Sequence, residues 1–187
     1  IKEKGVTDDI VKTILIADRL SAGFTEKLAV YLVGDTDRAT LENVFSFVKE
    51  NIKYVIDKPG FEVVKSPGKT WKDGFADCKS LSILVGSILQ NLKIPYHYRF
   101  TSYNKSKRVT HVYIVAQLNG QEFILDTVHD FFDEEVPYKY AIDYNPVTGQ
   151  VKKEQKGGGI AGFTREIEKI GILFVGMVLL AFTYDPD

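Results

Sequence analysis

Residues 73–95 read DGFADCKSLSILVGSILQNLKIP, and they place the only cysteine of the chain at the start of an apolar helix. Leucine, isoleucine and valine recur at helical spacing after Cys78, which predicts a core helix over residues 78–92. Asp77 is suited to cap its first turn. A helix N-terminus carries partial positive charge and free N–H groups, which favour a thiolate and can bind an oxyanion. The pattern therefore fits a nucleophile, and it fits a buried structural cysteine equally well.

A β-hairpin is predicted downstream, over residues 109–128. Asn119-Gly120 is a strongly favoured two-residue turn, and alternating apolar residues flank it. With these two residues in the turn, Leu118 faces Gln121 across the strands. His111 and Asp126 then project from one face as diagonal neighbours, within hydrogen-bonding reach. The opposite face is predicted to pack in the core, since it carries Val112, Ile114, Ala116, Leu118, Phe123 and Leu125.

Three residues together have the chemistry of a nucleophilic site. In chain order, Cys78 supplies a nucleophile, His111 a general base and Asp126 a carboxylate that orients the imidazole. Taken singly, each has an ordinary structural role: a buried thiol, an exposed strand histidine and a strand-edge acid. Of the other histidines, His97 fits a half-buried strand position. His129 is the alternative base if the hairpin register differs from the predicted one.

Composition limits the classes of protein that the chain represents. The 187 residues include 24 basic and 25 acidic side chains and have a formal net charge of −1, which argues against nucleic acid as the main partner. A hydrophobic content of 44% is sufficient for a folded core. One cysteine excludes an intrachain disulfide and a metal site built from several cysteines.

Four segments resemble the transglutaminase-like superfamily, a branch of the papain-like cysteine enzymes. They are residues 47–60 (FVKENIKYVIDKPG), 73–95, 110–128 (THVYIVAQLNGQEFILDTV) and 130–145 (DFFDEEVPYKYAIDYN). The resemblance extends from residue 41 to residue 145 and is greatest to small bacterial and phage-encoded forms. It implies an α+β fold in which the nucleophile helix packs on an antiparallel sheet whose strands supply histidine and aspartate.

The resemblance also implies a reaction. A thiolate attacks an amide or peptide carbonyl of a protein or peptide substrate, and the resulting thioester passes its acyl group to an amine or to water. The family oxyanion donor is often an aromatic residue upstream of the cysteine. Tyr54 and Trp71 are the candidates, and Tyr54 is favoured because it closes the matching helix. No cofactor is implied, and the sequence has no acidic calcium loop that would imply a metal.

We expect three parts along the chain. Residues 1–40 form an N-terminal helical segment, residues 41–145 the catalytic domain, and residues 146–187 a linker and an apolar tail. Within them, a helix is predicted over residues 41–55, a long loop over 57–75, irregular structure over 130–145 and a glycine-rich linker over 152–159.

The tail contains an uncharged run that begins at Ile170 and ends at Tyr184. As a helix it would span ~22 Å, less than the ~30 Å of a bilayer core. Three interpretations are open: a core or oligomer-interface helix, a short or tilted membrane anchor, and a buried β-hairpin. The run is a candidate contact with a membrane or a virion, and otherwise a cytoplasmic location is expected. The alternative to an enzyme is a non-catalytic virion or membrane-associated protein that retains the fold.

Overall fold

One buried helix organises the fold, with the other helices around it and an antiparallel sheet on one side. The structure is a computed structural model that describes residues 6–58, 62–105 and 108–158. Its helices are α1 (Val6–Arg19), α2 (Glu26–Tyr31), α3 (Asp37–Asn51), α4 (Pro67–Asp73) and α5 (Cys78–Asn91). Its strands are β1 (Lys53–Tyr54), β2 (Phe75–Ala76), β3 (Tyr96–Ser102), β4 (His111–Leu118), β5 (Gln121–Leu125), β6 (Tyr138–Tyr144) and β7 (Val151–Gly158).

The sheet has five strands in the order β5-β4-β3-β6-β7, and every neighbouring pair is antiparallel. The short strands β1 and β2 form a separate parallel pair. Helix α5 packs against β4, while α1 to α4 contact α5. The predicted α+β class, with the nucleophile helix on an antiparallel sheet, is confirmed.

Helix α5 is the centre of the core. Asp77 caps its first turn by accepting a hydrogen bond from the Ser80 N–H. Every residue from Lys79 to Leu89 is buried, which is the signature of a helix surrounded by protein. Serines on it have hydrogen-bond partners: Ser82 donates to the carbonyl of Cys78 at 2.8 Å, and Ser80 accepts from the Lys65 N–H at 3.0 Å. The helix predicted from the apolar run is thus the element on which the others pack.

The predicted hairpin forms in the predicted register. Asn119 and Gly120 both have positive φ, 51° and 77°, as a type I′ turn requires. Leu118 pairs with Gln121, and the ladder continues to the pair formed by Ile114 and Leu125. Strand β5 ends there, so Asp126 is the first residue beyond the ladder.

Helix α4 lies where the sequence predicts only a loop. Ser66 caps it, Pro67 occupies its first turn, and Gly74 ends it in the left-handed region at φ 71°. Proline and glycine, which indicated a loop, are here the start and stop signals of a two-turn helix. The loop prediction is therefore wrong for residues 67–73, and the predicted helix over 41–55 is α3, which ends at Asn51.

Two strands replace predicted irregular structure. Strand β6 pairs with β3 inside the stretch predicted to be irregular, and β7 pairs with β6 in place of the predicted linker. Side chains from Lys152 to Glu154 are exposed. Charged side chains protect the edge of a sheet from further pairing. An edge strand that is charged and ends in glycine therefore resembles a linker in composition.

One hydrophobic core joins the N-terminal helices to the rest of the domain. Its members include Ile14 on α1, Val44 on α3, Leu84 on α5 and Ile114 on β4. The segment before residue 41 therefore packs into the same core as the nucleophile helix.

The apolar run from Ile170 to Tyr184 lies outside the described residues. Its predicted contact with a membrane, a virion or a second copy stays a prediction. In the described part of the chain, no helix combines the length and the apolar character that crossing a membrane requires.

Helix α1 is held to the core by one buried carboxylate. Asp18 is 1% exposed and accepts hydrogen bonds from the hydroxyls of Tyr98 at 2.6 Å and Tyr96 at 2.8 Å, and from the Gln90 amide at 2.7 Å. Burial raises the pKa of Asp18, and these hydrogen bonds oppose the rise. A Cβ at Gly86 would lie only 2.6 Å from Asp18 Oδ1. Glycine at this position is what lets α1 approach α5 closely.

Replacing this glycine should therefore destabilise the protein. In an open helix, Gly→Ala stabilises by about 1 kcal/mol. We expect Gly86→Ala instead to lower the free energy of unfolding by about 1–3 kcal/mol, because the new methyl group displaces Asp18. Gly23→Ala is the matched control, since a Cβ there meets no atom within 4 Å. Urea denaturation of the three proteins measures the difference, and equal stability of the two variants would contradict the assignment.

Candidate active site

Cys78 is the first residue of α5, so its position is fixed by the helix and by the strand pair before it. Tyr54 on β1 pairs with Ala76 on β2, and the Val55 N–H donates to the Ala76 carbonyl at 2.8 Å. The thiol is partly exposed. A sulfur at this place faces the free N–H groups and the positive end of a buried helix. Cys78 is therefore a partly exposed cysteine at a helix N-terminus, and it also packs against the edge of the core.

The histidine and the aspartate predicted from the hairpin meet in the structure. His111 Nε2 lies 2.7 Å from Asp126 Oδ2, and both side chains are buried. The other carboxylate oxygen, Oδ1, accepts from the Val128 N–H at 3.3 Å, which fixes the orientation of the carboxylate. Because Nε2 is engaged by Asp126, Nδ1 is the ring nitrogen that remains for Cys78.

The electrostatics of His111 favour its charged form. Burial alone would lower the pKa of His111, but hydrogen bonds to Asp126 and Cys78, together with their charges, outweigh it and raise the pKa to about 10. Both neighbours are anions when ionised, so an imidazolium between them is stabilised from two sides. The arrangement has the electrostatics of a thiolate–imidazolium pair.

Aromatic rings and a second histidine surround His111. The rings of Tyr103 and Tyr113 lie 6.0 and 5.6 Å from it, centroid to centroid. His129 Nε2 lies 3.4 Å from Asp126 Oδ2. His129, the alternative base of the sequence prediction, thus shares the carboxylate but is more exposed than His111. Tyr103 was missed because no turn motif fixes how β3 and β4 pair.

The two oxyanion candidates lie in different places. Burial, with smaller effects from the charges of Cys78 and Asp77, raises the pKa of Tyr54 to about 12, so its hydroxyl is a proton donor at neutral pH. Trp71 stacks on Phe47 at 5.5 Å and lines a separate apolar pocket between α3 and α4. The structure therefore brings Tyr54, and not Trp71, to the neighbourhood of Cys78.

An ion-pair cluster follows the nucleophile. The ammonium of Lys79 is buried and contacts the carboxylates of Asp77, Glu62 at 2.6 Å and Asp57 at 3.3 Å. Burial lowers the pKa of Lys79, but its bonds to Asp77 and Glu62 outweigh this and raise it above its ordinary value. The cluster ties the segment before α4 to the first turn of α5.

Two groups of side chains in the described residues bring ligand atoms within 4.8 Å of one another, as a metal would require. One is Asp57, Glu62 and Asp77, each of which already contacts the Lys79 ammonium. The other consists of His111, Asp126 and His129, the pair of the candidate site and its neighbour.

A cleft of about 250 Å³ opens beside Cys78 and His111. Charged side chains lie along part of it, namely Glu62, Lys79 and Arg108. The remaining wall is mostly apolar and comprises Ile10, Val11, Phe100, Val109, Thr110 and Val112. The nucleophile and the base therefore share one groove in which a substrate can lie.

A second buried network lies beside His111, on the same face of the sheet. The Tyr113 hydroxyl donates to Glu135 at 2.6 Å, and Glu135 also pairs with Arg99. Arg99 binds Asp143 through two nitrogens, at 2.8 and 2.9 Å. A bidentate guanidinium–carboxylate pair of this kind has a fixed geometry. It joins β3 to β6 next to the strand that carries His111.

Residues 24–152 match the family described as a transglutaminase-like domain. The chain belongs to this family. The match includes Cys78, His111 and Asp126, and it begins after helix α1. No curated protein matches the chain.

Three solved structures are similar to this transglutaminase-like chain at low sequence identity. A candidate protease from Parabacteroides distasonis superposes with a TM-score of 0.59 at 10% identity, over 76% of this chain and 30% of that one. A candidate cysteine protease from Cytophaga hutchinsonii gives 0.49 at 17% identity, over 75% and 44%. Calcium-bound Legionella pneumophila LapG gives 0.42 at 20% identity, over 70% and 90%. The chain thus spans less than half the length of the first two structures.

The imidazole of His111 should titrate far from an ordinary histidine. We expect an apparent pKa near 10 by NMR, against about 6.5 for an exposed histidine. Because the folded value lies above the unfolded one, the stabilisation is full below about pH 6.5 and lost as the pH approaches 10. Asp126→Asn removes the stronger partner and should lower the pKa by more than one unit. A value near 6.5 in the unsubstituted protein would contradict the arrangement.

Proposed function

We propose that the protein is a cysteine enzyme that attacks amide or peptide carbonyls of protein or peptide substrates through a thioester intermediate. One observation carries the proposal: the His111 imidazole is held by Asp126 at 2.7 Å on one side and interacts with Cys78 on the other, at the N-terminus of α5. Membership of the transglutaminase-like family supports it.

The first half-reaction follows from this arrangement. The Cys78 sulfur attacks the carbonyl carbon, and the carbonyl oxygen takes up negative charge. The N–H groups at the start of α5 are placed to stabilise that charge, and the protonated Tyr54 hydroxyl is the candidate side-chain donor. As the tetrahedral intermediate collapses, the C–N bond breaks and His111 gives its proton to the departing nitrogen. A thioester on Cys78 remains.

The second half-reaction releases the acyl group. His111, now neutral, accepts a proton from the incoming nucleophile, which then attacks the thioester carbon and restores the thiolate. Water gives hydrolysis, whereas an amine gives acyl transfer. The groove beside Cys78 admits either, and both reactions use the same three residues.

Asp126 acts through His111 and does not touch the substrate. Its carboxylate contacts Nε2 and so favours the tautomer that carries the proton on Nε2, which leaves Nδ1 to exchange a proton with the sulfur. It also stabilises the imidazolium that forms in each cycle. Asp126 is therefore a positioning residue, whereas Cys78 and His111 react.

The proposal predicts an acyl adduct on one residue. We expect the full chain, incubated with a peptide library and a biotinylated alkylamine and quenched in acid, to carry an acyl group on Cys78 by mass spectrometry. Peptides should be cleaved, deamidated or coupled to the amine. Cys78→Ala should form neither adduct nor product, and Asp126→Asn should lower the turnover rate by roughly 10²–10⁴-fold.

A matched pair of aromatic variants tests the oxyanion assignment in the same assay. Tyr54→Phe should lower turnover by roughly 10-fold or more, as loss of an oxyanion donor does. Trp71→Phe preserves the stack on Phe47 away from the groove and should leave turnover unchanged. Product formation that persists in Cys78→Ala would refute the thioester route. A library that yields no adduct on Cys78 would favour the non-catalytic alternative.

A further inference from the structure

Helix α1 lines the groove of the candidate site although it lies outside the family match. The match begins at residue 24, whereas α1 ends at Arg19. Ile10 and Val11 of this helix nevertheless line the same cleft as Cys78 and His111. A helix that lies before the matched residues therefore contributes a wall next to the reacting groups.

The position of this wall is fixed by the opposite end of the helix. Asp18 lies eight residues after Ile10, which is about 12 Å along a helix. Its carboxylate is buried and accepts from Tyr96, Tyr98 and Gln90. These partners belong to α5 and β3, so α1 is anchored to the helix that carries Cys78.

The groove residues Ile10 and Val11 lie on the buried side of α1, next to its core residues. Ile14 and Leu15 are buried in the core, and Ile16 is 56% exposed on the outer side. Ile10 is half-buried and Val11 is buried, and both also line the cleft. Two turns of one helix thus supply both core packing and an apolar surface that faces the groove.

The groove has the size and polarity of a side-chain subsite. Its volume of about 250 Å³ is below the ~300–1,000 Å³ typical of small-molecule pockets. Phe100, Val109 and Val112 form apolar wall together with Ile10 and Val11. Among the charged lining residues, Lys79 is paired with Glu62 at 2.6 Å and also with Asp57 and Asp77, so its ammonium is engaged by carboxylates within the protein.

We propose that α1 forms a specificity subsite that accepts an apolar side chain of the substrate, of the leucine class, close to the carbonyl that Cys78 attacks. This inference rests on the proposed function, since it assigns a substrate class to the same groove. Ile10 and Val11 are the residues of α1 that determine the preference. Burial of an apolar side chain against them supplies the binding free energy.

Two alkylating reagents of matched shape test the subsite. N-acetyl-leucyl and N-acetyl-asparaginyl chloromethyl ketone present similar volumes but differ in polarity, and the Cys78 sulfur displaces chloride from each. Second-order alkylation rates are measured by intact mass on the full chain and divided by the rate with iodoacetamide, which has no side chain. We expect the leucyl reagent to be favoured by about tenfold, the discrimination that an apolar pocket provides.

Variants on α1 assign the preference to the helix. Ile10→Asn, and Val11→Thr, which preserves the side-chain volume, should each reduce the leucyl preference to about threefold or less. Ile16→Asn makes the same change on the outer side of the same helix and should retain the preference. Thermal unfolding of each variant shows whether it is folded at the assay temperature. If one groove variant is unfolded, the leucyl preference of the other groove variant tests the subsite.

The outcomes distinguish failure of the proposed subsite from failure of the proposed function. The inference is overturned if the unsubstituted protein shows no leucyl preference, or if the preference survives in both groove variants. Slow iodoacetamide alkylation at about pH 6, like that of an ordinary thiol, counts against the proposed function instead. A leucyl preference that depends on Ile10 and Val11 would support the subsite even in that case.

Discussion

The site depends on one buried imidazole placed between two acidic groups. An isolated imidazolium at the position of His111 would be strongly disfavoured, because burial penalises charge that is not paired. Asp126 on one side and Cys78 on the other reverse this balance and raise the pKa of His111 to about 10. The same pairing keeps a nucleophilic sulfur next to a proton donor. The chemistry assigned to the groove follows from that balance of burial against two charges.

Rigid elements hold these groups in place. Cys78 begins a helix that is buried on every side, His111 begins a central strand, and Asp126 follows the strand paired to it. The Asp77 cap and the buried Lys79 ion pairs fix the first turn of the helix. Helix α1, which lies before the matched residues and is anchored through its buried aspartate, lines the groove. Core packing and the candidate site are thus parts of one network.

Local signals in the sequence predicted the parts of the site that depend on short-range geometry. The Asn119-Gly120 turn fixes a register, and that register brings His111 to Asp126. The helical spacing of apolar residues after Asp77 predicts the helix that begins at Cys78. Strands β6 and β7 were not predictable in this way, because they depend on pairing with strands that are distant in sequence. Helix α4 was not predicted because its proline and glycine signals also occur in loops. Trp71 is explained by its stack on Phe47, and no sequence motif indicates that α1 reaches the groove.

The proposed function requires a thiolate–imidazolium pair between Cys78 and His111, which ultraviolet absorbance of the thiolate tests directly. The measurement is the difference spectrum between the unsubstituted protein and Cys78→Ser at about pH 6, repeated in a His111→Gln background. The account predicts thiolate absorbance in the unsubstituted protein at this pH and its loss when His111 is replaced. Thiolate absorbance that develops only near pH 8.5, as for an ordinary cysteine, and that is the same in both backgrounds would contradict it.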